Sequence, residues 1–140
     1  MKLRTHNICR LVKSEDLNHH GTLFAGKTAM WFVESGFIAV AALTHPENIV
    51  CLNIHGMLFK KPIANGHVVR FESKVVLAGR TRLVSYVKVL GNRDEELLLD
   101  GFISFIHVDV QGKPVPHRLL IEPTDSEDIA LQQQARNLGG

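Results

Sequence analysis

Residues 23–43 read LFAGKTAMWFVESGFIAVAAL, a stretch that is apolar on nearly every face of a helix and broken only by Lys27 and Glu34. A helix apolar all round has to be covered by other parts of a fold. The two charges argue for a core helix and against a membrane span. Glu34 is the only acid in the stretch. Burial strips a carboxylate of hydration and disfavours its charged form unless a partner pairs with it. A base held in such surroundings is a frequent catalytic device. The competing reading is a narrow solvated stripe: Lys27 lies two turns before Glu34 on roughly the same face, with Thr28 and Ser35 alongside.

The 140 residues suffice for one domain with a substantial core, and residues 1–140 are read as a single unit. A formal charge of +2 gives no reason to expect nucleic acid or a membrane surface as partner. The two cysteines, Cys9 and Cys51, sit in apolar strand-like runs and are expected as buried thiols, with no metal-binding spacing. The first residues contain no apolar leader core, so a cytoplasmic protein is expected.

Around the helix the pattern is that of strands. Residues 5–13 form a first strand, and the polar run SEDLNHHGT leads into the helix, which ends at His45-Pro46. Residues 48–55 form a strand that leads through GMLFKKP to a turn over residues 62–66. Residues 68–77 alternate, with Val69, Phe71, Ser73 and Val75 on one face and Arg70, Glu72 and Lys74 on the other. Strands over residues 83–90 and 97–110 follow, joined by turns. Thr124-Asp125-Ser126-Glu127 has the form of a capping box and predicts a short helix to about residue 137. One strand, one long buried helix and four further strands make an α+β protein, an antiparallel five-stranded sheet wrapped around the central helix.

Four segments in this order resemble the hotdog-fold acyl-CoA thioesterases, the superfamily of hydroxybenzoyl-CoA thioesterase and of bacterial acyl-CoA hydrolases. They are DLNHHGTLFAGK (residues 16–27), HGMLFKKPI (55–63), AGRTR (78–82) and LDGFISFIHVDVQG (99–112). The resemblance implies the hotdog fold and hydrolysis of an acyl-CoA thioester. It also implies a carboxylate on the central helix that promotes attack of water, and backbone N–H groups at the helix start that hold the carbonyl oxygen. The site then lies between protomers of a homodimer or of a dimer-based higher oligomer. Two departures stand out. The glycine pair of the pattern is Ala25-Gly26, and the position of its acid is taken by Val33, with Glu34 one residue later.

Thioester hydrolysis needs an activator of water, a stabiliser of the oxyanion and a grip on the leaving group. Glu34 is the candidate for the first, as general base or nucleophile. The N–H groups of Ala25 and Gly26, unpaired at a helix N-terminus, are candidates for the second. Coenzyme A carries phosphates, and the candidate cations are Arg80 and Arg82, with Thr81 between them, and more weakly Lys60 or Lys61; each has a solvated-cation alternative. Coenzyme A enters as part of the substrate, and no separate cofactor is expected. Asn18 stands where some branches of the superfamily keep a catalytic aspartate; an Asx turn is its structural alternative. His19-His20 has no third ligand at suitable spacing, so no metal is expected. Trp31, Phe32 and Phe37 are expected in the core. An enoyl-CoA hydratase would need Asp16 paired with His19 or His20. A non-catalytic acyl-CoA-binding protein is the other alternative.

Overall fold

The computed structural model describes residues 1–139. The chain order is β1 (His6–Leu11), α1 (Ala25–Ala41), β2 (Ile49–Ile54), β3 (Val68–Ala78), β4 (Arg82–Gly91), β5 (Leu97–His107) and α2 (Ser126–Arg136). The five strands form one sheet of order β1-β3-β4-β5-β2, with every neighbouring pair antiparallel. The sheet curls around α1, which is the expected architecture. Register shifts in β2 and β3 add local bends of the kind that helps a sheet wrap a helix.

The alternation in β3 sorts as its sequence implies: Val69, Phe71, Ser73 and Val75 are buried, and Arg70, Glu72 and Lys74 are half-buried on the outer face. Two aromatic pairs dock α1. Trp31 meets Phe71 of β3 edge-on at 6.1 Å, and Phe37 meets Phe105 of β5 at 6.0 Å. Phe32, between them, is fully buried.

The outer face of the sheet is covered in part by α2. Leu131 and Ala135 pack there on Val76, Val84 and Tyr86, and Lys74 reaches Asp128 at 2.5 Å. The start of α2 differs from the capping-box expectation. Asp125 takes the cap position with no side-chain cap bond. The N–H of Thr124 instead donates to the carbonyl of Met1 at 3.2 Å, which draws this segment onto the start of the chain.

The cysteines also differ from expectation. Cys9 and Cys51 are both exposed and unpaired, because each lies on an edge strand with one flank open. No helix is long and apolar enough to cross a membrane among the described residues.

After β2 the chain turns at Gly56, whose φ of 96° suits glycine. It then passes directly over β5. A Cβ on Gly101 would lie 2.3 Å from the Gly56 carbonyl oxygen and 3.1 Å from Phe32. Gly101→Ala therefore has to displace backbone, and we expect a loss of about 1–3 kcal/mol in urea unfolding, the range for overpacking a core. An unchanged midpoint would mean that this crossing is loose.

Candidate active site

The loop before α1 is built by two residues. Asn18 Oδ1 accepts the N–H groups of His20 at 2.8 Å and Thr22 at 3.2 Å, and its Nδ2 donates to Thr22 Oγ1 at 3.1 Å. This is the Asx-type turn, and it commits the amide to the loop. Asp16 is buried, and its carbonyl accepts the N–H of Phe24 at 2.9 Å, tying the loop to the helix start. Its carboxylate accepts the Lys13 N–H at 2.9 Å and has the Lys27 ammonium 3.5 Å away. The Lys13 N–H, with the charges of Lys13 and Lys27, holds Asp16 below the ordinary carboxylate range against the opposing effect of burial. His19 and His20 are exposed, with their rings tilted against each other at 4.0 Å, and among the described residues Asp16 pairs with Lys13 and Lys27 and with neither histidine. The acid–histidine pair of a hydratase is therefore not assembled.

The helix opens on Phe24 with no side-chain cap. The first intrahelical bonds are those of Lys27 and Thr28 to the Phe24 carbonyl. The N–H groups of Ala25 and Gly26 thus have no acceptor within the helix, and both residues are exposed. Beside them lies a cleft of about 360 Å³ lined by Leu23, Thr28, Phe59, Lys60, Lys61 and Ile63, among others. Lys61 pairs with Glu96 at 2.5 Å, whereas Lys60 has no ion pair among the described residues.

Glu34 is placed differently from the expectation of a buried acid. Its side chain is 48% exposed and one oxygen, Oε1, bonds the Arg10 guanidinium on β1. The sheet covers only one side of α1, and position 34 falls on the open side toward β1. Of the solvated-stripe alternative, Glu34 is exposed as that reading has it, whereas Thr28 and Ser35 are buried and Lys27 turns to Asp16. Glu34 lies six positions after Thr28, which at about 100° per residue leaves the two roughly 120° apart around the helix, on different faces. Trp31 sits between the two ends of this flank, with Arg10 5.3 Å and Lys27 5.9 Å from its ring centre.

Arg80, Thr81 and Arg82 stand at the other end of the sheet. The Lys60 N–H bonds the Leu98 carbonyl at the start of β5, while the His107 N–H at its end bonds the Thr81 carbonyl. The 17 residues of α1 span about 25 Å between these ends. Arg80 is exposed. Arg82 is committed to the outer face, where Nε and Nη2 donate to Ser104 Oγ at 3.0 and 2.6 Å. The Ser104 hydroxyl lies 2.7 Å from His55 Nε2. Burial, reinforced by Arg82, lowers the His55 pKa. This Arg82–Ser104–His55 trio was not anticipated from the sequence, because its members come from three separate segments.

No family model matches the chain. Over 124 residues it is 31% identical to the uncharacterised acyl-CoA thioester hydrolase YkhA of Bacillus subtilis (strain 168), covering 86% of this chain and 71% of that protein. The chain belongs to the acyl-CoA thioester hydrolase family. Solved structures agree on the fold. An apo-hexameric acyl-CoA thioesterase superposes with a TM-score of 0.83 at 31% identity, over 94% of this chain and 86% of that one. The acyl-CoA hydrolase of Staphylococcus aureus, solved with butyryl coenzyme A and coenzyme A, gives 0.80 at 25% identity, over 94% and 79%. The hotdog architecture read from the sequence is thus the architecture of this family.

The Asp16 tie sets a pH dependence. Its folded carboxyl binds a proton less tightly than the unfolded one, so its contribution is complete above about pH 4, the ordinary aspartate value, and is lost as pH falls through the lower folded value. Urea unfolding over an acid series should show stability falling in that window. In Asp16→Asn the stability at neutral pH should be lower and the acid fall shallower; parallel curves for the two proteins would remove Asp16 from this role.

Proposed function

We propose that this protein hydrolyses acyl-CoA thioesters to the free acid and coenzyme A, at a site completed by a second copy of the chain. The observation that carries this reading is the uncapped start of α1 in a chain of this family. The two free N–H groups of Ala25 and Gly26 lie in the chain between Leu23 and Thr28, which line a cleft with a lysine rim. Such donors, with the helix dipole behind them, suit the negative oxygen that develops as water attacks a thioester carbonyl.

The edges of the fold support a dimer. β2 leaves one flank unpaired, and Val50, Leu52 and Ile54 on it are exposed. Phe24 and Met30 leave the open face of α1 apolar as well. A free apolar edge favours pairing with another strand. Antiparallel pairing of β2 with its own copy about a two-fold axis reverses the second sheet. The Arg80 end of one protomer then adjoins the helix start of the other, which supplies cations for the phosphates of coenzyme A without crossing about 25 Å of one chain. We place the reaction in the cytoplasm, with no nucleic acid or membrane as partner.

Glu34 is our candidate for activating water. It is the sole carboxylate on α1, and Arg10 holds only Oε1, leaving Oε2 without a protein hydrogen bond among the described residues. Helical side chains lean toward the N-terminus, so a glutamate and one water help to span the roughly 12 Å of axis between positions 34 and 26. Its pairing with Arg10, on a different face from the cleft, favours a second reading in which Glu34 is a structural ion-pair partner of β1. Thiol release from an acyl-CoA panel separates the two. Glu34→Gln should lower kcat by about 10²–10⁴ if Glu34 is the base. Equal rates in the two proteins leave it the structural role.

The assembly has its own test. Val50→Glu puts a charge on the free edge of β2. By light scattering it should shift the protein toward monomer, with hydrolysis falling in parallel. A fully active monomer would refute the shared site.

A further inference from the structure

A second cavity lies far from the helix start and from the β2 edge. It occupies about 210 Å³ between the last turns of α1, β3, the start of the chain and the segment after Arg118. Its walls are apolar: Ala39 and Leu43 of α1, Val75 of β3, Leu119 and Ile121. Among the described residues its charged lining is entirely basic, from Lys2, Arg4 and His6. None of the three is in an ion pair among the described residues. Burial, with Arg4 beside it, lowers the pKa of His6, so the standing positive charge is that of Lys2 and Arg4. The wall is held in place by the Thr124 N–H on the Met1 carbonyl.

An apolar chamber with a purely cationic lining matches an apolar chain that ends in an anion. We propose that this cavity binds a medium-chain fatty carboxylate, with the alkyl chain against Ala39, Val75 and Ile121 and the carboxylate at Arg4 and Lys2. An apolar cavity of roughly 150 Å³ takes a benzene ring, so this volume suits about six to eight carbons. The site is independent of which residue activates water at the helix start, because it lies on the β1–β3 flank of α1 and uses none of the residues of that cleft.

Isothermal titration with octanoate tests the proposal, with octanol and octylamine as matched neutral and cationic chains. Octanoate should bind at one site per chain, at least about tenfold tighter than either analogue, the difference one ionic contact supplies. Arg4 is exposed and Leu43 lies near the surface, so Arg4→Glu and Leu43→Asp should fold normally. Each should weaken octanoate by about tenfold or more, by repulsion of the headgroup or by a carboxylate in the wall. Absence of octanoate binding overturns the proposal. Equal binding of all three chains removes the role of charge and overturns it as well. Octanoate affinity unchanged in both variants places the ligand elsewhere, with the same result.

Discussion

A helix that is apolar on every face cannot be covered by one curled sheet, and the rest of this structure follows from that mismatch. The sheet takes one side. Trp31 against Phe71 and Phe37 against Phe105 fix the rotation of α1 from its two flanks. Gly36 permits a close approach, where a Cβ would lie 2.8 Å from Ile103 and 3.3 Å from Val87. At the same point Ser85 Oγ donates to the Gly36 carbonyl at 2.8 Å, which satisfies a hydroxyl buried under the helix. The other side of α1 keeps Met30 and Glu34 in solvent. Beside it the β2 edge remains unpaired. Both uncovered surfaces are the cost of a short chain wrapping a long apolar helix.

The same geometry distributes the chemistry. The sheet is longer than the reach of any side chain, so groups at its two ends cannot meet within one protomer. The free N–H groups of Ala25 and Gly26 stand at one end and Arg80 at the other. Of the cations considered for coenzyme A, only the lysines beside the cleft adjoin the helix start in the same chain.

The β1 flank of α1 carries the charges. Asp16, Lys27, Trp31, Arg10 and Glu34 follow one another along it, with two cations flanking one indole ring and an acid paired to each. Each charge has a neighbour of opposite sign or an aromatic face, so the flank is balanced without a buried ion standing alone. The one-residue step from Val33 to Glu34 decides this. One residue is about 100° of rotation, and it moves a carboxylate from the face that carries Val33 to the face that meets β1.

The sequence by itself determined the elements, their order and the antiparallel sheet around one helix, because periodicity and turn residues act locally and leave a direct pattern. The alternation of β3 and the small residues at the start of α1 were legible for the same reason. The surroundings of each polar side chain were decided only by tertiary structure. Whether Glu34 lay buried or met Arg10 depended on the arc of helix that the sheet covers. Whether Arg82 stayed free or bonded Ser104 and His55 depended on three segments brought together by strand register. Cys9 and Cys51 read as buried from their apolar neighbours and became exposed because their strands fell at the two edges. Periodicity tells which face a residue occupies, while what lies against that face is set by contacts between residues distant in the chain.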